Sequence, residues 1–379
     1  MESLRIGFDA KRLVANNTGL GNYSRFVLRV LLEFHPEHTY YLFAPHRGNM
    51  NLYDDISSHP SVKMVYPEGM LKGSLWRTFG IAKVAKKLKL DVFHGLSNEL
   101  PVGISDRVFR ILTMHDLIYE RFPKAYNPID RFLYHLKYKK SCTRFSDYII
   151  SISQMTYNDL LKYYHLPKEK ITVVYQGCRS LFYEPIDSDA IGQVLSKLHI
   201  RRPYFLSVGT FEWRKNFGMT IKALPNLPNE YQLVIVGRDT EYSKSVMNEA
   251  KQLGVADRII RPSNLSDDEL KALYAGAEVF IYPSRFEGFG IPVIESLVMG
   301  VPVVAAKGSC LEEAGGKGAF YVDPDNVDEL AEKLNLLVSN STLRSQMIDF
   351  GKQHVKQFDG RVIADQINQL YLDGVHAKK

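Results

Sequence analysis

The sequence predicts an α/β protein with two Rossmann-like domains, and three observations support this. Short apolar runs alternate with amphipathic helical stretches along nearly the whole chain, a pattern typical of parallel sheets covered by helices. The alternation is interrupted once, between Gly177 and Pro203, and a second series then begins. The length of 379 residues is enough for two domains with separate cores.

The first series predicts an N-terminal domain over residues 1–178. It opens with an apolar strand at 5–8, and a helix is expected after Gly21. Apolar runs of strand length, bounded by turn residues, predict the remaining strands of this domain. These runs are 40–44, 92–94, 109–115, 148–152 and 171–174.

The second series predicts a C-terminal domain over residues 204–357. Proline and acidic residues break the pattern in 179–203, which we interpret as a linker. The strands of the second domain are expected at 204–208, 232–236, 279–282, 301–306 and 320–322. The end of the chain, 358–379, has the apolar spacing of a helix.

Composition narrows the class of protein. A hydrophobic content of 45% and a charged content of 24% are typical of a globular protein. No apolar run approaches the length of a membrane span, and the N-terminus begins a strand instead of a signal peptide. The three cysteines are scattered without metal-ligand spacing. We therefore expect a cytoplasmic protein with no zinc site.

Positive charge is concentrated in the first half of the chain. Residues 1–178 contain 25 Lys and Arg against 16 Asp and Glu, a net +9, whereas the rest contains 23 against 26, a net −3. The cations cluster in two predicted helices, 83–89 and 131–140, and aromatic residues interrupt the second cluster. An anionic membrane surface or a phosphate-bearing acceptor fits this excess, and so does a solvated helix whose aromatics pack on the core. No nucleic-acid recognition motif accompanies the charge.

The most informative stretch is 283–302, which places two glutamates, Glu287 and Glu295, around a glycine-rich turn. Buried-strand patterns flank it, so the turn follows a strand and opens a helix. Gly288 and Gly290 remove side chains that would keep a ligand from the backbone, and free N–H groups at a helix start favour an anion. Each glutamate alone would be interpreted as a solvated carboxylate, but the combination predicts a ligand site.

A second candidate segment is 207–216, where Gly209 ends a strand and Arg214 and Lys215 precede a helix. A diphosphate needs such cations, because arginine offers a planar fork and lysine a point charge. In the first domain, Gly19 and Gly21 form a short glycine turn before a helix. It lacks the longer glycine fingerprint of a dinucleotide site.

One further segment ends a strand of the first domain, and it contains His115 within Thr113-Met-His-Asp-Leu117. A histidine at this place is, by itself, more often a satisfied core residue than a catalytic one.

Together these strings resemble the signatures of the retaining family-4 glycosyltransferases of the glycosyltransferase-B fold, in which two glutamates are separated by seven residues. The resemblance implies two Rossmann-like domains facing across a central cleft, with a C-terminal helix that crosses back to the N-terminal domain. It implies that Glu287, His115, Arg214 and Lys215 are the catalytic residues. The implied donor-binding residues are Gly19, Gly21, Gly209, Arg214, Lys215, Glu287, Gly288, Phe289, Gly290 and Glu295.

The resemblance also implies a reaction. A retaining hexosyltransferase would move a sugar, with mannose from GDP-mannose as the best guess, to a saccharide or lipid-linked acceptor in surface-polysaccharide synthesis. No metal or other cofactor is expected, and peripheral contact with an anionic membrane is a further expectation. The acceptor could attack the face that the diphosphate leaves, or a covalent intermediate could form on Glu287. A sugar-nucleotide epimerase and a non-catalytic nucleotide-sugar-binding subunit are the alternatives.

Overall fold

The computed structural model describes residues 3–379 and divides the chain into two compact units. Unit 1 runs to Gly177 and resumes at Phe358, and unit 2 comprises Cys178–Gln357. The strands are β1 Arg5–Asp9, β2 Thr39–Phe43, β3 Val62–Val65, β4 Val92–Gly95, β5 Phe109–Met114, β6 Tyr148–Ser151, β7 Ile171–Val173, β8 Tyr204–Val208, β9 Gln232–Val236, β10 Ile259–Ile260, β11 Val279–Tyr282, β12 Val303–Ala306 and β13 Ala319–Val322.

The helices that connect these strands follow the same alternation. They are α1 Lys11–Ala15, α2 Gly19–Phe34, α3 Asp54–Ser57, α4 Gly73–Leu75, α5 Ile81–Lys87, α6 Ile118–Arg121, α7 Pro128–Lys140, α8 Gln154–Tyr164, α9 Ser188–Lys197, α10 Phe217–Ala223, α11 Glu241–Gln252, α12 Asp267–Gly276, α13 Ile291–Val298, α14 Leu311–Gly315, α15 Val327–Ser339, α16 Ser341–His354 and α17 Gly360–His376. No helix within residues 3–379 combines the length and apolar character needed to cross a bilayer.

Unit 1 contains a seven-stranded parallel sheet in the order β3-β2-β1-β4-β5-β6-β7. Its inner strands are largely buried apolar runs, as both faces are covered by helices, whereas the edge strands β3 and β7 are less buried. The last helix, α17, belongs to this unit and packs along α2. In that contact His38 Nε2 lies 2.7 Å from Asn368 Oδ1. The predicted return of the C-terminal helix to the N-terminal domain is confirmed.

Unit 2 contains a six-stranded parallel sheet in the order β10-β9-β8-β11-β12-β13. The segment 179–203, for which we predicted a linker, lies within this unit. Its helix α9 packs against α12, and Lys197 Nζ lies 2.7 Å from Glu269 Oε1. Ser266 and Glu269 also form a capping box that starts α12. Asp187 of this segment is the N-cap of α9, and Asp189 lies in the first turn of that helix.

The two sheets have the same topological feature. In each of them the first strand of the unit, β1 or β8, lies centrally, and the chain continues first to one side and then to the other. Loops that follow adjacent strands diverge at such a switch point and leave a crevice at the carboxyl ends. In unit 2 this crevice lies between the loops after β8 and β11, which contain the two candidate segments identified from sequence.

Candidate functional site

In unit 2 the loops after β8 and β11 meet at the carboxylate of Glu287. Arg214 Nη1 donates to Glu287 Oε2 at 2.7 Å, and Lys215 Nζ donates to Glu287 Oε1 at 2.6 Å. Oε1 also accepts from the hydroxyls of Ser284 at 2.6 Å and Tyr282 at 3.1 Å. The pair of cations and the first glutamate, predicted as separate parts of a site, therefore form one cluster.

The electrostatics of this cluster follow from its burial. Burial by itself would raise the pKa of Glu287, but Lys215 and Arg214 outweigh it and lower the pKa to about 2. Burial lowers the pKa of Lys215, an effect that Glu287 opposes. Burial would also lower the pKa of Arg214, yet Glu287 raises it. At neutral pH the cluster holds an ionised carboxylate between two cations.

The loop after β8 is tied to the loop after β11 by further hydrogen bonds. The backbone N–H of Arg285 donates to the carbonyl of Arg214 at 2.8 Å. Asn216, in the left-handed region at φ 59°, donates from Nδ2 to the carbonyl of Pro283 at 3.2 Å and to that of Pro324 at 2.8 Å. Because β8 and β11 are adjacent strands, the loops that follow them lie side by side. The hydrogen bonds between these loops hold Arg214 and Lys215 in place.

Two glycines of these loops are required by local geometry. Gly209 has φ +155°, and a Cβ there would lie 3.3 Å from Lys215 Cε, so the glycine leaves room for the lysine stem. Gly290 has φ +115°, and a Cβ there would lie 2.7 Å from Leu311 Cδ2. Both positions favour glycine for reasons internal to unit 2, in addition to any ligand contact.

The start of α13 supplies backbone donors next to the cluster. Gly290 is its N-cap, and Pro292, which has no N–H, occupies the second helical position where none is needed. The side chain of Phe289 is buried, so a contact of this residue with a ligand would come from its backbone. Gly288 is half-buried between the glutamate and this turn.

Glu295 lies in α13 and has a different environment from Glu287. Its side chain is buried, and its Oε2 accepts a hydrogen bond from the hydroxyl of Tyr274 at 2.9 Å. Burial raises the pKa of Glu295, and Arg179 only partly offsets this effect. The pKa values of the two glutamates of one motif are thus shifted in opposite directions, because their partners differ.

In unit 1 the glycine turn has two unlike members. A Cβ on Gly19 would meet no atom within 4 Å, whereas a Cβ on Gly21 would lie 1.8 Å from the carbonyl oxygen of Asn16. The side chain of Asn16 holds the turn, since its Oδ1 accepts from the backbone N–H groups of Thr18 and Gly21. Gly21 therefore permits a close backbone approach within unit 1, and Gly19 is the member that is open to a ligand.

His115 follows β5 and is buried. Its Nε2 donates to the carbonyl of Leu96 at 2.8 Å, and its backbone N–H donates to Asn98 Oδ1 at 2.9 Å. Burial lowers the pKa of His115 to about 4, so the ring is neutral at pH 7. With the proton on Nε2, Nδ1 is the acceptor nitrogen of the ring.

Sequence reasoning missed three polar groups of the unit 2 site. The sequence pattern places Tyr282 in an apolar strand and Ser284 in the loop after it, and it predicts no role for Tyr274. A tyrosine at the last position of a strand was the available signal for Tyr282, because that position faces the crevice. Nothing in the sequence pairs Tyr274 with Glu295, which lies 21 positions further along the chain.

This arrangement is suited to an anionic ligand. The buried Lys215, the half-buried Arg214 and the N–H groups of a helix start lie at the switch point of a parallel sheet, where charge that develops on phosphate oxygens would be stabilised. Among residues 3–379, no three histidine, cysteine, aspartate or glutamate side chains are grouped to hold a metal ion.

Comparison with known proteins agrees with this chemistry. The family described as Glycosyl transferases group 1 matches residues 196–354, and the one described as Glycosyltransferase Family 4 matches residues 23–179. The O-antigen chain mannosyltransferase B of Escherichia coli is 28% identical over 286 residues, which are 74% of each chain. The O-antigen chain mannosyltransferase RfbU of Salmonella typhimurium is 30% identical over 215 residues, 57% of each chain.

Solved structures give the same fold. HepE from Anabaena, crystallised in complex with UDP and glucose, superposes with a TM-score of 0.78 over 98% of this chain and 100% of that one, at 18% identity. The two domains and the two family matches define a glycosyltransferase of the glycosyltransferase-B fold. The N-terminal half of the chain thus matches one glycosyltransferase family model, and the C-terminal half matches another.

Proposed function

We propose that this glycosyltransferase moves a hexose from a nucleoside diphosphate sugar to an acceptor with retention of configuration. The observation that carries the proposal is the partly buried cluster of Arg214, Lys215 and Glu287 at the switch point of unit 2. On cleavage of the donor, negative charge develops on the departing diphosphate. Arg214, Lys215 and the N–H groups at the start of α13 would stabilise that charge. The reaction would need no metal ion or other cofactor.

The contacts of Glu287 support attack by the acceptor on the face that the diphosphate leaves. Both carboxylate oxygens are engaged by cations and hydroxyls, and the cations hold the pKa of Glu287 at about 2. Such a carboxylate is a poor nucleophile, which argues against a covalent intermediate on Glu287. We propose instead that it orients Arg214 and Lys215 and contacts hydroxyls of the sugar. A phosphate oxygen of the donor would then take the proton of the acceptor.

In unit 1, we propose that His115 and the turn of Gly19 and Gly21 contact a nucleoside diphosphate sugar. A neutral imidazole with Nδ1 as acceptor can receive a hydrogen bond from a sugar hydroxyl. Gly19 would allow the backbone N–H groups at the start of α2 to approach the diphosphate, since no side chain intervenes.

For the donor we propose GDP-mannose, and for the acceptor a saccharide or a lipid-linked saccharide of a surface polysaccharide. The names of two relatives, both O-antigen chain mannosyltransferases, support this choice. The epimerase alternative has no support, because the matched families are glycosyltransferases. A non-catalytic subunit is disfavoured by the presence of the complete cation and glutamate cluster.

A thermal-shift screen with GDP, UDP, ADP and their sugars tests the proposal. A ligand that binds only the folded protein raises its melting temperature with concentration, and we expect the largest rise with GDP and GDP-mannose. Transfer to an acceptor and the anomeric configuration of the product would then be measured by NMR, with EDTA present. An inverted product, or a complete loss of activity in EDTA, would overturn the mechanism proposed for the diphosphate.

Substitution of Glu295 is expected to weaken donor binding more than it slows the chemical step. A carboxylate that binds ribose hydroxyls contributes about equally in the ground and transition states, so Glu295→Gln should raise the KM of the donor with a small change in kcat. Because burial raises the pKa of Glu295, donor affinity should decline at a higher pH than for an ordinary carboxyl as the solution is acidified. The variant should lack this decline. An unchanged KM would contradict the assignment.

Unit 1 also presents a surface that fits an anionic membrane. Segments 69–90 and 121–146 contain 13 Lys and Arg against one acid, Asp130. Glu99 connects them, as it accepts from Arg77 at 2.6 Å and from Lys137 at 2.8 Å. We call these two segments the basic apolar surface. Its exposed apolar side chains are Met70, Leu71, Leu75, Phe79, Ile129, Phe132, Leu133 and Leu136.

The aromatics of α7 have two different environments. Tyr134 and Tyr138 pack against Tyr119, with ring centroids 6.0 and 5.8 Å from it, whereas Phe132 is 61% exposed. Packing on the core thus accounts for Tyr134 and Tyr138, and it leaves the exposed side chains of the helix unexplained. We propose that the exposed part rests on anionic lipid, where a lipid-linked acceptor would be found.

Sedimentation with liposomes containing anionic lipid tests this surface. Reversal of charge at Lys83, Lys86, Lys139 and Lys140 should abolish binding, because each cation near such a surface contributes about 1 kcal/mol. Phe132→Ser with Leu133→Ser should weaken binding even at low salt. The matched control is Phe350→Ser, which changes an exposed apolar residue of unit 2. Equal binding by all variants would contradict the proposal.

A further inference from the structure

A chain of buried polar side chains runs through unit 1 from the C-terminal helix towards His115. The hydroxyl of Tyr371 in α17 lies 2.6 Å from His94 Nδ1, and His94 Nε2 lies 2.8 Å from Thr113 Oγ1. Thr113 Oγ1 in turn lies 3.1 Å from the hydroxyl of Tyr23. All four side chains are at most 2% exposed, and each belongs to a different helix or strand.

The chain ends at the imidazole of His115. The ring of Tyr23 lies perpendicular to that imidazole, at 88° with the ring centroids 4.6 Å apart. The carbonyl of Leu96 accepts from His115 Nε2 on another side of the ring. The first contact restrains the plane of the imidazole, and the second fixes its tautomer. Together they determine the direction of the Nδ1 lone pair.

A contribution to the stability of the fold does not by itself explain why these buried side chains are polar. Apolar groups of the same shape would stabilise a core as well as a fully satisfied polar network does, and partial satisfaction would be costly. Burial lowers the pKa of His94 to about 3, so its ring is neutral at pH 7 and does not form an ion pair. What a continuous network does provide is a single orientation for each member, because every hydroxyl and ring nitrogen has a fixed partner.

We propose that Tyr371, His94, Thr113 and Tyr23 are positioning residues for the transfer reaction. They hold the imidazole of His115 in the orientation in which Nδ1 accepts a hydrogen bond from a hydroxyl of the transferred sugar. This inference rests on the proposed function of His115. It assigns to the C-terminal helix a part in the reaction, although Tyr371 acts only through His94, Thr113 and Tyr23.

The direct test is Tyr371→Phe, which removes one hydroxyl and keeps the ring. We expect kcat to fall about 3- to 10-fold, the effect of one lost hydrogen bond, with the donor KM changed less than about twofold. The matched control is Tyr40→Phe, because the hydroxyl of Tyr40 is also buried in unit 1 but donates to the carbonyls of Leu31 and His35. Its kcat should stay within about twofold of the unchanged protein.

A second variant and a double-mutant cycle separate positioning from a general structural effect. Thr113→Val keeps the side-chain shape and breaks the network at its centre, so it should reproduce the loss of kcat. In a His115→Ala background, Tyr371→Phe should cause no further loss, since its effect passes through the imidazole. A full additional loss in that background would overturn the proposal.

Side-chain ¹⁵N NMR of the histidines gives a readout that needs no turnover. The Nδ1 signal of His115 should shift or broaden in Tyr371→Phe and in Thr113→Val, and should be unchanged in Tyr40→Phe. Unchanged signals in all three variants would overturn the positioning proposal while leaving the proposed function intact. Full activity of His115→Ala would instead overturn the function assigned to His115, and the positioning proposal with it.

Discussion

Glu287→Gln is expected to remove most of the turnover and, at the same time, to strengthen the binding of the nucleoside diphosphate. The substitution takes the negative charge from a cluster in which Arg214 and Lys215 are both bound to the carboxylate. The two cations then lack their counter-ion until a diphosphate arrives. We expect kcat to fall about 100- to 1,000-fold, the range seen when an electrostatic element of a site is lost. Single-turnover kinetics and calorimetry with the nucleoside diphosphate would measure the two effects.

The same variant should lower the free energy of unfolding of the ligand-free protein. Loss of one partner of a buried ion pair costs roughly 3–5 kcal/mol. The pKa of Glu287 is lowered from 4.5 to about 2 in the folded protein, so its stabilisation is present above about pH 4.5 and is lost as the pH falls towards 2. The stability difference from the variant should therefore shrink over that interval.

A control for these measurements is Glu212→Gln. Glu212 also pairs with Arg214, at 2.9 Å from Nε, but its side chain is 43% exposed. We expect a change of less than about 1 kcal/mol in the free energy of unfolding, because solvent screens such a pair. If Glu287→Gln weakened diphosphate binding and left kcat unchanged, the carboxylate would not be the group that positions Arg214 and Lys215 for the diphosphate.

Gly21→Ala is expected to be the most disruptive single methyl addition in the glycine turn of unit 1. The added Cβ would lie 1.8 Å from the carbonyl oxygen of Asn16, a distance that requires the start of α2 to move. We expect a loss of at least about 3 kcal/mol in the free energy of unfolding, or failure to fold, because backbone cannot yield as a flexible side chain can. Chemical denaturation measures the loss.

Gly19→Ala is the matched comparison, since its Cβ would meet no atom within 4 Å. It should leave stability within about 0.5 kcal/mol, and any loss of activity would then report on ligand approach. From the sequence, both glycines were expected to contact the donor. Equal stability of the two variants would show that the Asn16 turn adjusts freely and that Gly21 is not constrained by it.

The two sheets could be predicted from sequence because parallel strands that are buried on both faces are continuous apolar runs. The sequence does not predict two edge strands, because they lack this buried apolar pattern. Val62–Val65 is exposed or half-buried throughout, and Ile259–Ile260 is only two residues long. Neither has the signature of a buried strand, since an edge strand has one neighbour and contributes less to the core. Asp187, within the segment predicted as a linker, is the N-cap of a helix, and an N-cap and a loop favour the same residue types.

The residues of the unit 2 site could be identified from sequence, but the partners of Glu287 could not. Lys215 and Glu287 are 72 positions apart, and their contact depends on β8 and β11 being neighbours in the sheet. A motif indicates which side chains follow a strand, whereas strand order decides which loops meet. The same limit applies to Tyr371 and His94, which are 277 positions apart.

The return of α17 to unit 1 has a consequence for the order in which the protein can form during synthesis. Helix α17 supplies Asn368 to His38 and Tyr371 to His94, yet it is synthesised after the whole of unit 2. All residues of unit 2 are therefore synthesised before unit 1, which begins the chain, is complete. Domains usually mature in the order of their synthesis. Here the N-terminal sheet lacks one of its covering helices until α17 has been synthesised. During this period the sheet is most exposed to chaperones and proteases.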